Sequence, residues 1–250
     1  MKTALILIAA TLTLAASLFF VGNFEECCEY IGLVAPEGES EVPGVKHAII
    51  EEALEGGGIP ETVPGFKVGH KPEPVSLEDI QHKPREIVFG QGRPTVLIWV
   101  SALCPTSKVY EFRINELAEK YRGRVDFWAI NSAAMEEDTE LQGHFLDGDP
   151  GRLAIPVLKD HRNVIADLFG ARVSTDTFLF DGDGKLQYRG AIDDSRDARV
   201  VKDSFLATVI EELLAGKSPS WHYQAPKGCC PIDRVEPEPA PAETKTEEAS

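Results

Sequence analysis

Between residues 86 and 216, apolar residues occur alternately in short continuous runs and at the spacing of a helix face. The runs at residues 95–100 (TVLIWV) and 125–130 (VDFWAI) are short and rich in β-branched and aromatic residues, as in strands that are buried on both faces. Between them, Tyr110, Ile114 and Leu117 recur at intervals of four and three, which predicts an amphipathic helix. The pattern therefore predicts a strand, a helix and a second strand, in this order.

Shorter patterns extend this series toward the C-terminus. Further strands are predicted at residues 87–89, 156–158, 177–180 and 185–189, and further helices at 136–145, 163–169 and 201–213. The sequence DGDG at residues 181–184 predicts a turn that joins the last two strands as a hairpin. Alternating strands and helices predict an α/β fold, with a central, mostly parallel sheet, helices on both faces and an antiparallel hairpin at one side.

The N-terminus has a different composition from the rest of the chain. Residues 3–24 carry no charge and consist mostly of Ala, Leu, Ile and Phe. As a helix they would rise ~33 Å, about the thickness of the hydrocarbon core of a membrane. We predict an uncleaved membrane anchor or a cleaved signal peptide. Both interpretations place the rest of the chain outside the cytoplasm, in a periplasmic-type compartment.

Composition divides the remainder of the chain into four parts. Residues 25–84, where Glu, Gly and Pro are frequent, are interpreted as a linker and a partly ordered extension; a helix start is predicted at Ser76, with Asp79 three residues on. Residues 85–217 are predicted to form a single globular domain, residues 218–234 a cysteine-containing segment, and residues 235–250 an acidic tail that is expected to be disordered. The net charge of −16 argues against nucleic acid as a partner, because phosphates attract Lys and Arg.

Cys104 lies where the first buried strand gives way to the amphipathic helix. Pro105 suits the first turn of that helix. The free N–H groups of this turn and the positive end of the helix dipole favour a thiolate over a thiol. Thr106 and Ser107 add hydroxyl groups that are able to donate hydrogen bonds to the sulfur. A buried, inert cysteine is the alternative, but this position favours a reactive one.

The other four cysteines form two adjacent pairs outside the predicted domain, Cys27–Cys28 and Cys229–Cys230. Cys229 or Cys230 would complete a redox cycle if either condensed with an oxidised Cys104 to form a disulfide. Alternatively, these two cysteines would join the C-terminal segment to the first pair by disulfides. Because adjacent cysteines rarely give the spacing of a tetrahedral zinc site, we predict no metal site.

Residues 94–217 resemble the redoxin family, of the alkyl-hydroperoxide-reductase/thiol-specific-antioxidant type, in the thioredoxin-like superfamily. The matching segments are PTVLIWVSALCPTSKVY, VDFWAINS, IPVLKDHRNVIADLFGA and TFLFDGDGKLQYRGAIDD. The resemblance implies a thioredoxin-like fold and thiol redox chemistry that needs no cofactor. Cys104 matches the attacking cysteine of the family, and Ser101 matches a supporting hydroxyl residue.

Several positions depart from the motifs of the family. Ser107 replaces the second cysteine of a Cys-x-x-Cys pair, and Leu97 replaces the proline of the peroxiredoxin motif. Thr175 stands where peroxiredoxins carry an Arg that polarises the peroxide, and Arg172 is a nearby possible substitute. Ser174 and Thr175 also replace the cis-proline that thioredoxin-like proteins commonly have at this place.

Two hypotheses of function follow from the sequence. The first is an extracytoplasmic thiol oxidoreductase, in which Cys104 attacks a peroxide or a disulfide with help from Ser101, Thr106 and the helix N-terminus. Its partners would be that substrate and a thiol reductant, and Cys229, Cys230 or the external thiol would regenerate Cys104. The second hypothesis is a redox-silent thioredoxin-like module that docks a partner beside Cys104.

Overall fold

The computed structural model describes residues 58–147, 152–228 and 230–234. The apolar N-terminal segment, most of the predicted extension, Cys27, Cys28, Cys229 and the acidic tail lie outside these residues. None of the helices in the described ranges is long and apolar enough to cross a membrane.

The described residues form eight strands and four α-helices. The strands are β1 (Val75–Asp79), β2 (Pro84–Ile87), β3 (Thr95–Trp99), β4 (Asp126–Asn131), β5 (Val157–Lys159), β6 (Thr177–Phe180), β7 (Leu186–Gly190) and β8 (Tyr223–Gln224). The α-helices are α1 (Pro105–Lys120), α2 (Asp138–Phe145), α3 (Val164–Phe169) and α4 (Phe205–Leu214).

The strands form one mixed sheet in the spatial order β2-β1-β5-β4-β3-β6-β7-β8. Strands β3, β4 and β5 are parallel neighbours, so their carboxyl ends meet at one edge of the sheet. Strand β6 is antiparallel to both β3 and β7, and β1 is antiparallel to both β2 and β5. This mixed sheet with flanking helices fits a thioredoxin-like fold.

The side chains of β3 alternate between two hydrophobic cores, one on each face of the sheet. Val96 and Ile98 belong to the core that α1, α2 and α4 cover, whereas Leu97 and Trp99 belong to the core that α3 covers. All four side chains are fully buried. A strand that is covered on both faces needs apolar residues at every position, which explains the continuous run at residues 95–100.

The predicted mixed α/β architecture is confirmed, with element boundaries that shift by a few residues. The strand predicted at residues 87–89 ends at Ile87 instead of beginning there, and the last helix begins at Phe205 after a short 3₁₀ turn at Ala198–Val200. The two-residue strand β8, which pairs with β7, was not predicted.

The helix start predicted at Ser76 is wrong, because these residues form strand β1. Asp79 is buried at the end of this strand, and its carboxylate accepts hydrogen bonds from the N–H groups of Gln81 (2.9 Å) and Lys83 (3.0 Å) and from Arg85 Nε (2.8 Å). The acid therefore stabilises the turn between β1 and β2 instead of the first turn of a helix. The sheet thus begins before Arg85, at which the predicted domain starts.

Candidate functional site

Cys104 is the N-cap residue of α1, in the segment that follows β3. Its backbone is extended, with φ −76° and ψ 118°, and Pro105 begins the helix. The N–H groups in the first turn of a helix have no partners within the helix. The N–H groups of Thr106 and Ser107, in this turn, lower the pKa of the Cys104 thiol, although the side chain of Cys104 makes no capping hydrogen bond. The residue is only 2% exposed, so the sulfur lies inside the protein and not at its surface.

Hydrogen bonds lower the pKa of Cys104 to about 6, well below the ordinary value of a cysteine thiol. The largest contribution comes from the thiol of Cys230, and burial of Cys104 acts in the opposite direction. The N–H groups of Ser107 and Thr106 and the hydroxyl of Ser174 lower the pKa further. Because the thiolate is the nucleophilic form of cysteine, this lowered pKa favours the reactive form of Cys104.

Ser174 and Thr175 lie opposite Cys104, in the connection between α3 and β6. The hydroxyl of Ser174 lowers the pKa of Cys104 and donates to the carbonyl of Cys230 at 3.5 Å. Thr175 has a φ of +71°, which is rare for a β-branched residue. Its N–H group donates to the carbonyl of Trp99 at 2.7 Å. This bond ties the connection to the end of β3 and so holds Ser174 beside the sulfur.

Residue 228 and residues 230–234, here called the C-terminal segment, lie along the backbone of residues 172–174. The N–H group of Ser174 donates to the carbonyl of Cys230 at 3.0 Å, and the N–H group of Ile232 donates to the carbonyl of Arg172 at 2.8 Å. An antiparallel bridge joins the residues between them. This pairing places the thiol of Cys230 against the sulfur of Cys104.

Further contacts fix both ends of the C-terminal segment. At its start, a Cβ atom at Gly228 would lie 1.8 Å from the carbonyl oxygen of Ser174, so only glycine allows this close approach. Toward its end, the carboxylate of Asp233 accepts a hydrogen bond from the N–H group of Met135 at 2.8 Å. The carbonyl of Asp233 accepts another from the side-chain amide of Asn163 at 3.0 Å.

Glu136, in the loop between β4 and α2, is a buried carboxylate that the sequence analysis missed. Its Oε1 atom accepts hydrogen bonds from the hydroxyl of Ser101 and from the N–H group of Leu103 at 3.2 Å. Its Oε2 atom accepts from the N–H group of Ala102 at 3.0 Å and from the side-chain amide of Asn131 at 2.7 Å. Glu136 therefore binds the three residues that precede Cys104.

Lys159, at the end of β5, completes this buried polar cluster. Its Nζ atom donates to Asn131 Oδ1 at 2.7 Å and to the carbonyls of Ala133 and Glu136 at 2.7 and 2.9 Å. Burial lowers the pKa of Lys159, and the negative charge of Glu136 opposes this effect. Asn131 and Lys159 end adjacent parallel strands, where ligand and catalytic sites of α/β sheets form. That position was the signal in the sequence that could have indicated the cluster.

The structure brings most of the predicted site residues together, but in partly different roles. Ser101 Oγ accepts the N–H group of Cys104 at 3.0 Å. The hydroxyl of Ser107 accepts the N–H group of Ser101 at 3.0 Å, and it is the N–H group of Ser107, not its hydroxyl, that lowers the pKa of Cys104. Thr106 likewise acts through its N–H group. Arg172 is exposed and contributes its carbonyl to the C-terminal segment.

The geometry at Cys104 is suited to thiol–disulfide chemistry. Cys104 and Cys230 are both present as thiol residues, not as a disulfide. A stabilised thiolate beside a second thiol is the arrangement from which an intramolecular disulfide forms after oxidation. Of the predicted resolving pair, the structure describes Cys230, which meets Cys104, while Cys229 lies outside the described residues.

Comparisons with protein-family models and with curated protein sequences give no match. Solved structures do match. A hypothetical protein from Sinorhizobium meliloti 1021 is 24% identical, with a TM-score of 0.61, over 70% of this chain and 98% of its own. An uncharacterised conserved protein from Geobacillus kaustophilus is 23% identical, with a TM-score of 0.60, over 71% of this chain and 95% of its own. These two likenesses show the fold alone.

A secreted disulfide oxidoreductase from Mycobacterium tuberculosis is a more distant match. It is 18% identical, with a TM-score of 0.40, over 45% of this chain and 79% of its own.

Proposed function

We propose that this protein is a thiol-dependent oxidoreductase in which Cys104 attacks a peroxide or a disulfide and Cys230 then forms a disulfide with Cys104. The observation that carries the proposal is the pairing of residues 230–232 with residues 172–174, which brings Cys230 to Cys104 at the N-terminus of α1. The Cys230 thiol also makes the largest contribution to the lowered pKa of Cys104.

With a peroxide as the substrate, the Cys104 thiolate attacks one oxygen and the O–O bond breaks. The other oxygen leaves as an alcohol or water after it takes up a proton, and Cys104 becomes a sulfenic acid. The thiol of Cys230 then attacks the sulfenic sulfur, which forms the Cys104–Cys230 disulfide and releases water. An external thiol reductant returns both cysteines to the reduced form by exchange.

With a disulfide as the substrate, the Cys104 thiolate attacks one sulfur and forms a mixed disulfide, while the other sulfur leaves as a thiol. Attack by Cys230 on Cys104 then releases the second substrate thiol. The substrate is reduced by two electrons and the pair Cys104–Cys230 is oxidised by two. Because Cys104 is buried under the C-terminal segment, a small oxidant reaches it more readily than a folded protein does.

We further propose that this chemistry takes place outside the cytoplasm. The apolar segment at residues 3–24 supports this location, because segments of this kind direct chains to or across a membrane. Disulfides persist in such compartments, where the reducing systems of the cytoplasm do not act.

The test uses the reduced full chain and three variants, Cys104→Ser, Cys230→Ser and Cys229→Ser, with hydrogen peroxide or a small organic disulfide as the oxidant. We expect Cys104→Ser to abolish turnover with dithiothreitol as the reductant. In Cys230→Ser the oxidised Cys104 should persist and react with dimedone after peroxide treatment. Cys229→Ser is the matched control and should retain the Cys104–Cys230 disulfide. Full turnover in Cys104→Ser would refute the proposal.

The second candidate is the redox-silent binding module, and the burial of Cys104 favours it. On this view the C-terminal segment covers the cysteine permanently. The same experiment decides between the two functions. A Cys104 that remains an unmodified thiol in excess peroxide and in excess small disulfide would support the module over the oxidoreductase.

A further inference from the structure

We propose that Glu136 is a positioning residue, which holds the segment between β3 and α1 so that Cys104 stays at the N-terminus of the helix. The inference deepens the proposed function, since it concerns the same reacting sulfur. Glu136 acts through the backbone and through Ser101, and therefore is not itself a catalytic residue.

The contacts of Glu136 extend over the three residues that precede Cys104. Its two carboxylate oxygens accept the N–H groups of Ala102 and Leu103 and the hydroxyl of Ser101. Ser101 passes this constraint on, because the hydroxyl that donates to Glu136 also accepts the N–H group of Cys104 at 3.0 Å. Hydrogen bonds to a charged group are about twice as strong as neutral ones, so one carboxylate fixes this entire turn.

The carboxylate is in turn fixed from its other side. Asn131 donates to it at 2.7 Å, and Lys159 binds both Asn131 and the backbone carbonyl of Glu136. The other acids near the Lys159 ammonium are Asp138, Asp160 and Asp233. Glu136 is 4% exposed, and a buried carboxylate with so many donors does not move freely. The turn before Cys104 is thereby attached to the ends of β4 and β5.

Loss of the charge of Glu136 and loss of its hydrogen bonds have opposite expected effects on the pKa of Cys104. A negative charge near Cys104 disfavours a second negative charge on the sulfur, so loss of the carboxylate by charge alone would lower the pKa of Cys104. Loss of the positioning bonds would instead move the sulfur away from the N–H groups, which would raise that pKa. In addition, Glu136→Gln replaces one carboxylate oxygen with an NH₂ group. This group is a donor and would face N–H or O–H donors that the carboxylate of Glu136 now accepts.

The experiment measures the rate of iodoacetamide alkylation at Cys104 against pH, by mass spectrometry, in the reduced full chain. The variants are Glu136→Gln and Ser101→Ala, and the control is Glu116→Gln, which removes one exposed acid from the helix that Cys104 caps. We expect roughly tenfold slower alkylation at pH 7 in Glu136→Gln, because a pKa that returns toward ~8.5 leaves little thiolate at that pH. Ser101→Ala should show a smaller change in the same direction, and Glu116→Gln no change.

Unchanged or faster alkylation in a folded Glu136→Gln variant would overturn the positioning role. If that variant does not fold, unchanged alkylation in Ser101→Ala overturns it instead. Alkylation requires neither oxidant nor turnover, so the result is separate from the proposed function. Wild-type protein that is alkylated rapidly but does not turn over peroxide or disulfide would refute the oxidoreductase and leave the role of Glu136 intact.

Discussion

Thr175 carries the least favourable backbone conformation near Cys104, with a φ of +71°. Proline is commonly found at this place in proteins that the sequence resembles, but Pro cannot adopt this φ, and it lacks the N–H group that Thr175 donates to Trp99 at 2.7 Å. We therefore expect Thr175→Pro to lower the free energy of unfolding by about 3 kcal/mol or more.

Thr175→Gly should be tolerated far better, because glycine adopts a positive φ without strain. Relief of the backbone strain, about 1 kcal/mol, offsets part of the stability that is lost with the packing of the buried threonine side chain. Urea unfolding of both variants measures the difference. His82→Gly, at an exposed residue with a φ of +59° whose imidazole lies near Glu78 and Asp138, is the control for backbone relief without loss of buried packing. Equal stability of the Pro and Gly variants would contradict this account of the site.

At the scale of elements, we expect the C-terminal segment to determine how fast Cys230 meets Cys104 in the proposed reaction. Asp233 fixes this segment through the N–H group of Met135. A hydrogen bond to a charged group contributes about 1.5–3 kcal/mol, so its loss lets the segment leave the site more often. We expect Asp233→Ala to slow formation of the Cys104–Cys230 disulfide by about tenfold, because ~1.4 kcal/mol corresponds to a factor of ten.

The measurement is a rapid-quench time course after a single addition of hydrogen peroxide to reduced full chain. Asp147→Ala removes another acid outside the C-terminal segment and serves as the control, with the wild-type rate expected. Initial oxidation of Cys104 in Asp233→Ala should be as fast as in the wild type, or faster, since the covering segment is loosened. Disulfide formation at the wild-type rate in Asp233→Ala would show that Asp233 does not hold Cys230 in place.

The elements themselves differ in how much of them the sequence could predict. Strand β3 and the hairpin of β6 and β7 were predicted because apolar runs and a DGDG turn are local signals. Ser76 was assigned to a helix because the same Ser-to-Asp spacing that caps a helix also suits a strand followed by a turn. The position of Glu136 beside Ser101 depends on the pairing of β3 with β4, and no local pattern contains that pairing.

At the scale of the whole molecule, contacts between distant parts of the sequence complete the site. Arg189 is buried in β7 and donates hydrogen bonds to the carbonyl of Gly170 at 2.6 Å, to Asp176 at 3.0 Å and to the carbonyl of Pro64. A buried charge requires such partners, yet they come from two separate segments, one before β1 and one between α3 and β6. For the same reason, the sequence supports Cys230 as a partner of Cys104 on chemical grounds but does not distinguish it from Cys229.

The lowered pKa of Cys104 has a consequence for the stability of the entire reduced protein. In the unfolded chain this thiol has a pKa of ~8.5, whereas the folded value is about 6. The folded state therefore binds the proton less tightly, and its stability rises as pH increases from about 6. This contribution is fully present above the unfolded pKa and is lost as pH falls through the folded pKa. Because each unit of pKa difference corresponds to ~1.4 kcal/mol, this contribution to the free energy of unfolding amounts to a few kcal/mol.

We therefore expect the difference in unfolding free energy between reduced wild type and Cys104→Ser to grow steadily from pH 6 to pH 8.5. Urea titrations in a reducing buffer at several pH values measure this difference. Cys229→Ser, which removes the cysteine next to Cys230, provides the comparison for loss of a cysteine other than Cys104. A difference that is constant over this range would mean that the helix N-terminus and Cys230 do not favour the thiolate. A difference that grows would also imply that the fold favours the reduced form over the disulfide, because the stabilising thiolate exists only before Cys104 and Cys230 are joined. A Cys104–Cys230 disulfide would then be a comparatively strong oxidant.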